Sequence, residues 1–383
     1  MKNTTDLLKK LVSIQSVFPN EKECALWIEE FLKVQGFKVQ RQKVGNNRWN
    51  LLAEKGKGKS SLLFYGHIDT VPKYGNWETD PFKLTEKDDK LFGRGACDMK
   101  GGIAALLSAL IQVKTDKKIK LFFGVDEENI SEGAWRAIEE KKSWFSDVEA
   151  VLVGEPGASA TQIGGVNVVT LGRRGRVVFA VDVFGKAYHG AHPEKGVNAI
   201  DEAAKIALAL GKINLQKNKF LGEGSLFVRK FESASTSLSI PDIAYIEIDR
   251  HLVLPETINT AKKQIENLID SLYKAKILSK DSDFKTKVYL KQRATPYIEP
   301  YVTDKNNIFV KNVLSLIKNN FNKEIVINYG KSVADDNIFA AKLKVPVVTI
   351  GPRGGNIHSA NEWVSKQSLN EVTALYKMII ENY

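Results

Sequence analysis

The stretch Leu62-Leu63-Phe64-Tyr65-Gly66-His67-Ile68-Asp69-Thr70-Val71-Pro72 decides how the rest of this 383-residue chain is read. Its apolar run, residues 62–65, leads into Gly66 and stops before Pro72, which predicts a buried strand. Side chains two apart on an extended chain share a face, so His67 and Asp69 leave the strand end on the same side. A His beside a carboxylate at a strand end is either a core-edge histidine satisfied by its neighbour or one corner of a metal site. What the other strands end in settles the choice.

Two further apolar runs end in acid. Residues 119–125 run into Asp126-Glu127-Glu128, and residues 149–154 run into Glu155-Pro156. Helical spacing marks residues 5–16 (Leu7, Leu8, Leu11, Val12), 21–35 (Ala25, Ile28, Phe31, Leu32) and 100–113. Residues 37–44 and 49–54 read as strands. Strands alternating with helices predict an α/β domain with a mainly parallel sheet. Near residue 165 the pattern changes. Val177, Phe179, Val181 and Val183 alternate within 176–184, as in an antiparallel strand with one wet face. A helix over about 196–212 follows, then strands at 224–231 and 243–250, an amphipathic helix over about 256–275 and a strand at 284–290. The α/β pattern then returns with a helix at 304–319, a strand at 345–350 ending in Gly351-Pro352, and a helix over about 366–381. The simplest division is a discontinuous α/β domain, 1–169 and 291–383, with an α+β domain inserted at 170–290. There is no internal repeat.

Composition excludes several classes. Hydrophobic content of 43% and charged content of 26% suit a soluble globular protein. The longest apolar candidate, Gly101 to Val113, is too short to span a membrane, and residues 1–10 read as an amphipathic helix rather than a secretion signal. The expected location is the cytoplasm. Cys24 and Cys97 form no Cys-x-x-Cys pair, which argues against a disulfide scaffold and a thiolate zinc site. The net charge of +11 comes from scattered lysines without interleaved aromatics, so neither nucleic acid nor membrane is the expected partner. Gly93-x-Gly95 lacks the third glycine of a dinucleotide fingerprint, and Gly330-Lys331-Ser332 lacks the first glycine of a phosphate-binding loop.

His67 with Asp69, the Asp126-Glu127-Glu128 run, Glu155 and His358 lie at or just beyond strand ends of the larger domain, and Asp98 lies in the Gly-rich turn that opens a helix. Ligand crevices of open α/β sheets lie at the carboxyl ends of the strands. Two histidines and several carboxylates suit zinc, with cobalt or manganese as substitutes. Five candidate ligands suggest two divalent metal ions, with Asp98 as the bridge. Glu127 and Glu128 point in different directions from one strand end, so one can be ligand and the other general base. Asp69 would orient His67.

These residues also carry a resemblance. Gly66 to Pro72, Trp77 through Asp80-Pro81-Phe82, and Gly93-Arg94-Gly95-Ala96-Cys97-Asp98-Met99-Lys100-Gly101-Gly102 resemble the acetylornithine deacetylase, succinyl-diaminopimelate desuccinylase and carboxypeptidase G family. Asp126-Glu127-Glu128, Gly154-Glu155-Pro156 and His358 with Asn361-Glu362 continue the match in order. The resemblance implies a zinc-peptidase-like catalytic domain and an inserted lid or dimerisation domain. It implies His67, Asp98, Glu128, Glu155 and His358 as metal ligands, Glu127 as base and Asp69 as the partner that orients His67. In the insert, Gly172-Arg173-Arg174-Gly175 and Gly185 through His189 look like the family's lid entry. His189 then reaches the active site of a second subunit and holds the oxyanion, which implies a homodimer. Asp249-Arg250 and Pro255-Glu256 resemble the family's Asp-Arg and Pro-Glu pairs, with Arg250 on the substrate carboxylate. Arg174, Gly355 and Asn356 are further candidate substrate contacts. Close members often carry Asn two residues before an Ile-Pro, where this chain has Leu238 before Ser239-Ile240-Pro241. The implied reaction is hydrolysis of an N-acyl amino acid, with a carboxypeptidase or dipeptidase on small peptides as the alternative.

Overall fold

The structure, a computed structural model, describes residues 3–158, 162–235 and 237–383. Its contacts divide into two compact units, one of residues 1–172, 302–330 and 334–383, the other of residues 173–301 and 331–333.

The larger unit is built on a mixed sheet. Its central strands run Lys117–Gly124, Lys57–His67, Val148–Val153 and Val347–Thr349, all parallel to one another. Lys38–Gly45 and Arg48–Lys55 add antiparallel strands at one flank, and Val168–Arg173 adds one at the other. The strand expected over 62–66 is longer, because Lys57 pairs with Lys117 on one side and Ser61 with Val148 on the other. Leu62, Leu63, Phe64 and Tyr65 are buried, as a strand covered on both faces requires.

Three helices cover one face: Thr4–Ser13, Lys100–Gln112 and Lys366–Asn382. The first starts on Asn3, whose side chain accepts the Asp6 N–H at 2.9 Å, and turns Leu7, Leu8, Leu11 and Val12 into the core. The middle helix is buried along residues 100–109, which is why its sequence is Ala, Gly and Leu with little polar face. It lies so close to the sheet that a Cβ on Gly102 would stand 1.9 Å from the Gly154 carbonyl oxygen. Gly102→Ala therefore forces this helix off the strand that ends in Glu155. The expected loss is about 3 kcal/mol or more, read as a lowered melting temperature; an unchanged melting temperature would contradict this packing.

Among the elements not expected from the sequence are the helices Glu132–Glu140 and Asp335–Leu343 and the strand Val326–Gly330. The second helix begins Asp335-Asp336-Asn337, polar residues that are all buried, so the apolar period that marks a surface helix is missing.

The smaller unit is an antiparallel sheet in the order Ser225–Ser233, Ile243–Leu252, Gly175–Phe184 and Lys285–Leu290. Helices Ala199–Leu210 and Ile258–Lys274 pack on one face with Val177, Phe179, Val181 and Val183. The opposite face is drier than the sequence suggested. Val178 and Ala180 are buried there, beside Asp249 and Glu247 of the next strand, and Arg176, Arg229 and Lys291 fold over them to reach those acids. The unit extends past the expected border at residue 290, because Tyr297–Ile298 pairs onto the central strand. Among the described residues no helix is long and apolar enough to cross a membrane.

Candidate metal centre

The larger unit brings His67, Asp98, Glu127, Glu128, Glu155 and His358 together. Three of the strands deliver them: Lys57–His67 ends on His67, Lys117–Gly124 leads to Glu127 and Glu128, and Val148–Val153 leads to Glu155. Asp98 sits in the turn before the buried helix, and the Asp98–Met99 peptide is cis. His358 lies beyond the Val347–Thr349 strand, in a loop where Asn356, His358 and Asn361 all take positive φ, at 56, 60 and 57°. Asn takes that region readily, but a histidine there is held by its surroundings, and such positions gather at functional sites.

Asp98 is the centre of the cluster. Its Oδ1 lies 3.3 Å from His67 Nε2 and its Oδ2 lies 3.3 Å from His358 Nε2. Glu155 Oε1 stands 3.7 Å from His67 Nε2, and Glu128 Oε2 stands 2.8 Å from His358 Nε2. Single donor atoms of His67, Asp98 and Glu128 lie within 4.8 Å of one another, as do those of His67, Glu127 and Glu155. A tetrahedral site with bonds of about 2.0–2.1 Å has ligand-to-ligand edges of about 3.3 Å, the spacing of both Asp98–His contacts. For Asp98 and Glu128 the ion-pair partners among the described residues are the imidazoles alone. Carboxylates gathered with so little counter-charge fit divalent cations.

Hydrogen bonds turn His67 correctly for this. Its Nδ1 lies 3.0 Å from the Asp69 carbonyl oxygen and 3.6 Å from Asp69 Oδ1, which leaves Nε2 facing Asp98 and Glu155. The backbone carbonyl is the nearer partner. The Asp69 carboxylate has a second task that the sequence did not reveal: Oδ2 accepts the Glu128 N–H at 3.0 Å. Asp69→Ala therefore loosens both His67 and the Glu127-Glu128 corner. At saturating zinc it is expected to keep its metal content and lose about tenfold or more in kcat, measured by metal analysis beside steady-state kinetics. Unchanged kcat would remove Asp69 from the account.

The electrostatics are those of acids and imidazoles buried side by side. Burial and the neighbouring Glu155 push Glu127 well above the usual carboxylate range. Burial raises Glu128 as well, against the pull of its bond to His358. Burial works to raise Asp98 too, but the bonds to His358 and His67 outweigh it and hold Asp98 low. Contacts with Asp98 and Glu128 push His358 up to about 10. Burial opposes protonation of His67, yet Asp69, Asp98 and Glu127 hold it well above the ordinary imidazole value.

Gly355 ends the short strand Gly354–Gly355, and Asn356 Nδ2 donates to the Asn361 carbonyl at 3.1 Å, so that amide braces the His358 loop. His189, Arg174 and Arg250 belong to the smaller unit. His189 is exposed, and its Nδ1 accepts the Ala191 N–H at 3.1 Å. Gly190 N–H donates to the Leu238 carbonyl at 2.8 Å, which pins this loop through the backbone where the resemblance would place an Asn side chain. Arg250 is buried. Its Nη2 meets Glu256 and donates to Gln264 Oε1 at 3.1 Å, while Nε and Nη1 have no hydrogen-bond partner among the described residues. Arg174 Nε donates to the Leu221 carbonyl at 3.0 Å.

Sequence reading missed Asp335 and the Arg48 network. Asp335 is buried, accepts the Tyr65 hydroxyl behind the His67 strand, and is pushed by burial up to about 7. Arg48 donates to Glu21 at 2.7 Å and to Asp126 at 3.1 Å, anchoring the turn that presents Glu127 and Glu128. No local signal marks either, because each partner comes from a distant stretch of sequence.

The chain is similar to known proteins. The sequence pattern of peptidase family M20/M25/M40 matches residues 63–382. A succinyl-diaminopimelate desuccinylase of Nautilia profundicola is 30% identical over 388 residues, covering 100% of both chains. One from Wolbachia pipientis subsp. Culex pipiens is 29% identical, over 99% of this chain and 92% of its own. The fold is also that of a Staphylococcus aureus tripeptidase (TM-score 0.77, 21% identity, covering 99% of this chain and 97% of that one). It is likewise that of a Sulfolobus solfataricus M20 family metallo-carboxypeptidase (TM-score 0.74, 18% identity, covering 100% and 99%). With that match running from the His67 strand to the last helix, the chain belongs to peptidase family M20/M25/M40 and is a metallohydrolase of amide C–N bonds.

Proposed function

We propose that the chain removes the acyl group from an N-acyl amino acid, of the succinyl or acetyl kind, that carries a free carboxylate. The observation that carries this reading is the span of Asp98, whose two oxygens each stand 3.3 Å from a different histidine. In this reading His67, Asp98 and Glu155 would hold one divalent ion, and Asp98, Glu128 and His358 would hold the other. Zinc suits these donors, and cobalt or manganese can replace it. Such a pair supplies Lewis-acid polarisation of the amide carbonyl and acidifies water.

The side chains do the rest. Glu127 takes the proton of the attacking water as the C–O bond forms, and passes it to the amide nitrogen as the C–N bond breaks. A carboxylate whose pKa is raised by burial is suited to both transfers. Asp69 and its own carbonyl keep His67 in one tautomer. Because the Ala191 N–H occupies His189 Nδ1, the neutral ring carries its proton on Nε2 and can donate to an oxyanion. Arg250 offers Nε and Nη1 to the substrate carboxylate. Arg174, Gly355 and Asn356 are the further substrate contacts in this reading. His189 acts across a homodimer, and the smaller unit has an edge strand, Ser225–Ser233, that exposes Phe227 and Phe231.

The test is a substrate panel with zinc, cobalt and manganese: N-succinyl-diaminopimelate, other N-succinyl and N-acetyl amino acids, and dipeptides. The N-acyl amino acids are expected to give the highest kcat/KM. Preference for dipeptides would favour the peptidase alternative, and no hydrolysis of either would refute the reading.

A further inference from the structure

Glu362 is a buried acid, 1% exposed, that holds a turn together from the far end of the chain. Its Oε1 accepts the N–H groups of Cys97 at 2.9 Å and Asp98 at 3.0 Å. Its Oε2 accepts the Gly95 N–H at 2.9 Å and Arg94 Nη1 at 2.7 Å. The Glu362 carbonyl accepts the Gly93 N–H at 3.0 Å. Arg94, equally buried, completes the clasp by donating Nη2 to the Ser359 carbonyl at 3.1 Å, one residue beyond His358. Beside it, Asn361 Oδ1 accepts the Glu78 N–H at 2.9 Å.

The two segments tied in this way are the ones that carry Asp98 and His358. A buried ion pair is a poor choice for stability alone, because apolar residues of the same volume serve as well or better. What a carboxylate with both oxygens satisfied adds is a fixed geometry. Four donors converge on one carboxylate, and three of them are backbone N–H groups of the turn ending in Asp98. The backbone of Asp98 therefore has little freedom to move relative to the His358 loop.

We propose that Glu362, clasped by Arg94, is a positioning residue that sets Asp98 at bridging distance from both His67 and His358. The inference rests on the two-ion reading of the site. Glu362 acts through Asp98 and touches neither the ions nor the substrate in this account.

The test is metal binding, measured by calorimetric titration of the metal-free chain with zinc, with circular dichroism to check folding. In Glu362→Gln the shape is kept, but an amide nitrogen faces either the Cys97 and Asp98 donors or the Gly95 and Arg94 donors. Binding of the second zinc equivalent is expected to weaken about 10- to 100-fold, the range for partners that orient a ligand. Glu362→Asp keeps the charge opposite Arg94 and withdraws the carboxylate by one methylene. It is expected to show the same weakening, and it serves if the amide variant does not fold. Lys120→Met, which breaks the buried contact to Asp147 elsewhere in the unit, controls for destabilisation and is expected to bind both equivalents as the unaltered chain does. A folded Glu362 variant that binds both equivalents with unaltered affinity would overturn the proposal, as would an equal loss in Lys120→Met. An unaltered chain that binds fewer than two equivalents would instead overturn the two-ion reading.

Discussion

Glu127→Gln is expected to lower kcat by about 10²- to 10⁴-fold, the usual contribution of a general base, while leaving both metal ions bound. Glutamine has the shape of glutamate but cannot accept the proton of the attacking water. Glu127 sits where such a group must sit, with a donor atom within 4.8 Å of those of His67 and Glu155. It does not need to be a ligand, because Glu155 and Asp98 already face His67 Nε2. Neutralising it also relieves repulsion, since Glu155 is the charge that most strongly opposes its ionisation. The variant should therefore keep its metal content and its KM and lose the chemical step. Metal analysis and single-turnover kinetics separate these quantities. Full activity in the glutamine variant would remove the proposed base, and loss of metal would make Glu127 a ligand.

Chelation is expected to lower the melting temperature, and by more at pH 9 than at pH 6. In the metal-free chain His358 is held up to about 10 and His67 is also raised, whereas an unfolded imidazole titrates near about 6.5. A raised folded value gives stability that is complete below the unfolded pKa and is lost as pH climbs through the folded one. Asp335, raised to about 7, and Glu127, held well above the usual carboxylate range, lose their contribution in the same upward direction. Asp98 is held low, so its stabilisation is present above the ordinary aspartate pKa and fades only in acid, below this window. The metal-free unit accordingly weakens from pH 6 to pH 9. Metal binding needs neutral imidazoles and ionised carboxylates, so affinity rises over the same interval. A ligand held at a thousandfold over its Kd contributes about 4 kcal/mol, which corresponds to a shift on the order of 10 °C per ion. Calorimetric scans with and without chelator at both pH values check this. A gap that is constant or narrows with pH would contradict the cluster's electrostatics.

What the sequence revealed of this site follows from one regularity. Buried parallel strands are visible as apolar runs, and their carboxyl ends face the crevice, so His67, Glu127, Glu128 and Glu155 announced themselves by position. His358 follows a short strand in the same way. The inserted antiparallel unit was visible in the alternation of Val177, Phe179, Val181 and Val183. What stayed hidden depends on pairing between distant residues. Arg94 and Glu362 are 268 positions apart, and neither sits in an apolar pattern that would mark it as buried. The Asp335–Leu343 helix opens with buried polar residues, which erase the period by which surface helices are recognised. Asp69 was expected to turn His67 with its carboxylate, but the carbonyl stands closer, and a backbone oxygen leaves no trace in sequence.

The central claim is that Asp98 bridges two ions. Anomalous scattering from crystals grown with zinc tests it most directly. The account predicts two peaks, one between Asp98, His67 and Glu155 and one between Asp98, His358 and Glu128. A single peak under zinc saturation, or two peaks of which only one touches Asp98, would contradict it.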